Sequence, residues 1–190
     1  MYEYHNMDFP DRKVYPTPKQ IYDIRMQLGL DLKKARLQQL FLFLESKRIL
    51  TNPFYMERNV QSITAVDLSP EMVKIAKSKF PQANVICGDA ENITFDSQFD
   101  VIMIYNAFPH FPEPVRVIEN FTKHLKDGGR LSIAHGLSKK ELDEIHMKSA
   151  GRVSNILPEC DELAEMLKPY FNVDIMISND TMYQVSGMKR

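Results

Sequence analysis

The chain has 190 residues, 44% of them hydrophobic and 26% charged, which suits one soluble domain with a sizeable core. Its 24 basic and 25 acidic residues leave a formal net charge of -1. No basic excess therefore points to nucleic acid or to an anionic membrane, and no apolar run is long enough to span a bilayer. Cys87 and Cys160 lie far apart, with no metal-type spacing and no sign of a disulfide framework. The first ten residues include Glu3, His5, Asn6 and Asp8 and lack the apolar stretch of a signal peptide, so a cytoplasmic protein is expected.

Residues 1–18, with prolines at 10, 16 and 18, read as an irregular arm. A helix is expected after Pro18, with Ile21, Ile24 and Leu28 on one face and Gly29 as its stop. Residues 31–52 admit two readings. Leu37, Leu40, Phe41 and Leu44 have helical spacing, whereas the apolar run from Leu40 to Leu44 suits a buried strand.

Beyond residue 60 the signals sharpen. Strands are expected at Ser62–Val66, Asn84–Cys87, Asp100–Tyr105 and Arg130–His135. Helices are expected from Ser69-Pro70-Glu71 to about Lys79, over Glu113–Leu125, over Lys139–Ser149 and over Glu159–Leu167. Asp127-Gly128-Gly129 reads as a turn. Asn172–Ile177 and Thr181–Gly187 read as a hairpin joined at Asn179-Asp180. The alternation predicts an α/β fold: a Rossmann-like, doubly wound, mainly parallel sheet with helices on both faces and a C-terminal antiparallel hairpin, in one domain spanning 1–190.

Ligands of such sheets bind at the carboxyl ends of the strands. Asp67 follows one strand, and Gly88, Asp89 and Ala90 follow the next. Tyr105, Asn106 and Ala107-Phe108-Pro109-His110 follow the third, and His135 and Gly136 the fourth. An acid in the position of Asp67 can accept two hydrogen bonds from a ribose diol, or it can simply favour the dipole of the following helix. Asp89 can accept from an adenine amino group or serve its turn. His110, His135 and His146 all map near the crevice. Converging, they would suit a metal or a general base; apart, they only line a cleft. No metal is assigned. The eleven methionines read as core fillers.

These residues resemble the class I S-adenosylmethionine (SAM) dependent methyltransferases, of the type 11, UbiE-like group. Ile63-Thr64-Ala65-Val66-Asp67-Leu68-Ser69-Pro70-Glu71-Met72 is similar to the family's second motif and Gly88-Asp89-Ala90-Glu91 to its third. Phe99-Asp100-Val101-Ile102 with Tyr105-Asn106 is similar to the fourth, and Leu125-Lys126-Asp127-Gly128-Gly129-Arg130-Leu131 to the loop before the fifth strand. The resemblance covers about residues 53–190. It implies SAM as cofactor, with Asp67 on the ribose, Leu68 flanking the adenine, Asp89 and Ala90 binding the adenine, and Asn106 near the methionine part. It also implies a seven-stranded sheet whose last strand is antiparallel. His110, Tyr105 and His135 are the candidate catalytic residues, acting on a small-molecule substrate.

One motif departs from the pattern. The family carries a glycine-rich loop, D-x-G-x-G-x-G, after its first strand, whereas this chain has no glycine between Leu30 and Cys87. The corresponding segment reads Phe43-Leu44-Glu45-Ser46-Lys47-Arg48-Ile49-Leu50. Three explanations stay open: SAM binding is lost, SAM is bound by a rebuilt loop, or residues 35–52 record a sequence-level accident such as two compensating frame changes. If binding is lost, the alternative function is an interaction or regulatory module, and Leu37, Phe41, Phe43 and Leu44 would then favour a homodimer.

Overall fold

The structure, a computed structural model, describes residues 37–42, 60–149 and 155–190. The helix expected after Pro18 and the segment 43–50 lie outside the described residues.

The strands are β1 (Leu37–Leu42), β2 (Val60–Asp67), β3 (Asn84–Cys87), β4 (Phe99–Tyr105), β5 (Leu125–His135), β6 (Phe171–Asn179) and β7 (Met182–Lys189). They form one seven-stranded sheet in the order β3-β2-β1-β4-β5-β7-β6. All ladders are parallel except those of β7, which runs antiparallel to both β5 and β6. The expected fold, including its antiparallel last strand, is the one observed.

The competition over residues 31–52 is decided for strand at Leu37–Leu42. Leu40 pairs with Thr64 of β2 on one side and Ile102 of β4 on the other. Pairing on two sides overrides a helical spacing that is only a local preference.

The helices are α1 (Pro70–Lys79), α2 (Pro114–His124), α3 (Lys139–Ser149) and α4 (Cys160–Leu167). Each helix signal has a visible cause. Ser69 caps α1, its hydroxyl accepting from the Met72 amide at 3.3 Å, and Pro70 supplies a pre-set first position. Glu159 and Glu162 form a capping box on α4.

The pleat sorts the core into two layers. Val73 and Ala76 of α1 pack with Ala65, Met103, Tyr105 and Ala134 on one face. Val117, Ile118 and Phe121 of α2 and Leu163 and Leu167 of α4 pack with Val66, Ile102, Ile104, Leu131, Ile133 and Val185 on the other. Phe121 is fully enclosed, and its truncation to Ala should cost roughly 3–5 kcal/mol.

The two expected turns are placed differently in the structure. Asp127-Gly128-Gly129 lies within β5, which starts at Leu125 directly after α2. The β4–β5 register shifts between Phe99 and Val101, and Gly128 sits at φ +69. The predicted turn is thus an irregularity inside a strand. The β6–β7 turn is Asp180-Thr181 rather than Asn179-Asp180. Asn179 ends β6, and its Oδ1 accepts from the amides of Thr181 and Met182 at 2.9 and 3.0 Å, which sets the turn.

Candidate functional site

β2, β3, β4 and β5 are mutually parallel through β1, so Asp67, Cys87, Tyr105 and His135 end at one edge of the sheet. The order reverses between β1 and β4, which is where such sheets open a ligand crevice. β1 reaches that edge at Leu42, between the ends of β2 and β4.

On the β2–β3 side the polar groups are tightly organised. Asp67 is 8% exposed. Its Oδ1 accepts from the Ser69 amide at 2.8 Å, and its carbonyl accepts from the Gly88 amide at 3.0 Å. One residue thereby joins the strand end, the start of α1 and the next strand end. Leu68 beside it is 64% exposed, an apolar side chain at the rim. Asp89 lies at the surface. Its Oδ1 accepts from the Glu91 amide at 2.9 Å and its Oδ2 from the Asn92 side-chain amide at 2.5 Å. The Asp89 carbonyl accepts from the amides of Asn92 and Ile93, closing the turn, and Ala90 is buried within it. A Cβ on Gly88 would stand 3.0 Å from Ile93 Cδ1 and would crowd the end of that side chain.

Three residues that the sequence reading did not assign to the site, Glu113, Arg116 and Asn120, hold this turn. Asn120 of α2 is buried and donates from Nδ2 to the carbonyls of Ala90 (3.1 Å) and Ile93 (2.8 Å). Arg116 donates to Asn92 Oδ1, and Glu91 Oε1 accepts from the Glu113 amide at 2.9 Å. The available signal was Asn120 itself, a polar residue set among the apolar Val117, Ile118 and Phe121.

The β4–β5 side is organised by long-range bonds. Asn106 adopts φ +52, a left-handed conformation that Asn tolerates better than most residues. Its amide donates to the Ala134 carbonyl at 2.9 Å, and its Oδ1 accepts from the Gly136 amide at 3.1 Å. Phe108–His110 forms a short 3-10 turn in which Phe108 and Pro109 are buried and His110 is half-buried. Asn155 holds this turn from outside, donating from its amide to the Pro109 carbonyl and from Nδ2 to the Phe111 carbonyl, each at 2.8 Å.

The candidate catalytic residues do not form one cluster. Tyr105, 2% exposed, belongs to the α1-side core. His135, 1% exposed, stacks edge-on against Tyr183 at 6.0 Å in the α2/α4-side core. The alternation of the strands sends the two to opposite faces. Tyr183 donates to the Pro158 carbonyl at 2.9 Å, and burial pushes its hydroxyl well above the usual tyrosine range. The side chain of His146 lies outside the described residues. Among the described residues no group of three or more His, Cys, Asp or Glu is gathered to hold a metal ion. His124, at the end of α2, is half-buried with its ring edge-on to Phe95 at 5.0 Å; burial lowers its pKa.

Comparison with known proteins agrees with this geometry. Residues 51–133 match the family described as "Methyltransferase domain". The chain is 30% identical over 113 residues to the ubiquinone biosynthesis O-methyltransferase of Coxiella burnetii, covering 56% of this chain and 48% of that protein. It is 29% identical over 104 residues to the ubiquinone/menaquinone biosynthesis C-methyltransferase UbiE of Campylobacter jejuni, covering 54% and 44%. It thus spans about half the length of these relatives. Among solved structures, the N-methyltransferase NodS from Bradyrhizobium japonicum WM9, in complex with S-adenosyl-L-homocysteine (SAH), superposes with a TM-score of 0.64 at 12% identity, covering 91% of this chain and 88% of that one. That likeness is one of fold. With the ordered motifs and the sheet order, these matches show a chain similar to the class I SAM-dependent methyltransferases in its fold and over its central residues.

Proposed function

We propose that the chain is a methyltransferase that takes SAM as cofactor and a small molecule as substrate. The observation that carries this reading is the β2–β3 edge. A buried acid, an exposed apolar residue and an acidic turn stand side by side, matching a ribose, a purine face and a purine edge in turn. These residues fit the nucleoside half of SAM.

In this reading the Asp67 carboxylate, oriented by the Ser69 amide, accepts from the ribose hydroxyls. Leu68 covers one face of the adenine, and Asp89 and Ala90 meet its edge. Asn106, fixed by Ala134 and Gly136, borders the methionine part. Bound SAM supplies an electrophilic methyl group, so the protein's main task is to align a nucleophile with it. A proton leaving that nucleophile would go to Tyr105, His110 or His135. Of these, His110 is the most open. Tyr105 and His135 would serve from opposite faces, so no more than one of that pair lies beside a given substrate atom.

Calorimetric titration with SAH tests the proposal. Saturable one-to-one binding, weakened by Asp67→Ala, supports it. No heat at millimolar ligand from a folded sample would refute it and leave the Phe43–Leu50 segment as the reason to seek protein partners instead.

A further inference from the structure

Four hydrogen bonds join the start and body of α2 to the turn at residues 88–93, and they come from Glu113, Arg116 and Asn120. These positions have i, i+3, i+7 spacing and lie on one helix face. Asn120 uses both amide hydrogens on the carbonyls of Ala90 and Ile93. Arg116 fixes Asn92, and Asn92 in turn donates to Asp89 Oδ2. Glu91, the residue between, accepts from the Glu113 amide at the start of the helix. The turn is therefore not set by its own sequence alone. Its backbone and its carboxylate are both aimed by a helix more than twenty residues further on.

The carboxylate retains acceptor capacity. Asp89 takes one protein donor on each oxygen, and each carboxylate oxygen offers about two lone-pair sites. With its rotation fixed from two sides, the remaining lone pairs point in set directions. That is a reader of an amino group, because an amino group donates and a carbonyl in its place repels the carboxylate.

We infer that Arg116 and Asn120 are positioning residues that make this site select a 6-aminopurine over a 6-oxopurine, acting through Asn92 and the 88–93 turn on Asp89. The inference rests on the reading of the crevice as a SAM site.

The test compares binding of SAH with binding of its 6-oxopurine counterpart, S-inosyl-L-homocysteine. The wild type, Arg116→Ala, Arg116→Lys, Asn120→Ala and Asp67→Ala are measured. The wild type should prefer SAH by about tenfold or more, the scale of one well-placed polar contact. Arg116→Ala and Asn120→Ala should reduce that preference to about twofold, Arg116→Lys should restore part of it, and Asp67→Ala should weaken both ligands while keeping the ratio. Arg116 is exposed, so its variant stays folded even if the buried Asn120→Ala does not. An unchanged preference in Arg116→Ala overturns the inference. Equal wild-type affinity for both ligands overturns it too, while leaving the cofactor reading intact. A wild type that binds neither ligand overturns the cofactor reading itself.

Discussion

The two sides of the crevice are built by different means. On the β2–β3 side the carboxylates of Asp67 and Asp89 bond within two or three residues, to Ser69 and to Glu91 and Asn92, and α2 then braces the turn through Arg116 and Asn120. On the β4–β5 side Asn106 is fixed by Ala134 and Gly136, about thirty residues away, and takes a strained backbone angle to reach them. The carboxylate bonds of the first side are set within a turn, whereas those of Asn106 exist only once β4 and β5 have paired.

The largest expected effect comes from loading the strained side. Asn106→Val puts a β-branched residue at φ +52 and removes the bond to Gly136. It should lower stability by about 2–3 kcal/mol in urea unfolding. Asn106→Gly should cost about 1 kcal/mol, because glycine relieves the strain and loses only the bond. Equal losses would mean that backbone strain is not what distinguishes this side.

Asp67→Asn comes next and acts on the local side. It keeps the shape and removes the charge, so SAH affinity should drop about tenfold, near 1.5 kcal/mol, with little change in urea midpoint. A large loss of stability instead would assign Asp67 to the fold rather than to a ligand.

The pair of Arg130 and Asp174 extends the comparison to the far strands. Arg130 is buried and donates through two nitrogens to Asp174 at 2.7 and 2.6 Å, and also to Ser186 at 3.1 Å. The guanidinium holds the Asp174 carboxyl below its ordinary range. A depressed folded pKa means that the stabilisation is present above the unfolded value, roughly pH 4, and is lost as pH falls through the folded value. Asp174→Asn should therefore cost about 1–2 kcal/mol at neutral pH, a figure held down by the half-exposed carboxylate. The difference from wild type should shrink below about pH 4. Urea unfolding at several pH values measures this, and a difference that grows in acid would contradict the assignment.

The smallest effect is chemical. Cys87, at the end of β3, is exposed, whereas burial raises the Cys160 thiol. Iodoacetamide at pH 8 should modify Cys87 first, as read by peptide mass analysis. Bound SAH should slow that reaction, because Cys87 ends β3 beside Leu68, with its Sγ 3.7 Å from the Leu68 carbonyl. Faster reaction at Cys160 would place the open side of the crevice elsewhere.

The legibility of the molecule follows the same division. Ser69-Pro70 and the apolar run of β4 announce their elements locally, and Asn84–Cys87 and Lys139–Ser149 fall where they were expected. Leu37–Leu42 was undecided, because its apolar spacing fits a helix as well as a strand and only the neighbours β2 and β4 choose between them. Asp127-Gly128-Gly129 looked like a turn because the glycines mark an irregular backbone, but a bulged strand uses the same residues. The separation of Tyr105 from His135 could not be read from order along the chain. It depends on which face each pleat presents, and so on the register between strands. The partners of Asn120 and Arg116 are not legible, because they are 24 to 30 residues distant in sequence.

Amide spectra of the folded protein, recorded as SAH is added, test the central claim most directly, since they view both sides of the crevice at once. The account predicts saturable shifts at Leu68 and Ala90 on the local side and at Asn106 and Gly136 on the long-range side, with one common affinity. Spectra unchanged at millimolar SAH, or shifts confined to residues remote from these strand ends, would contradict it.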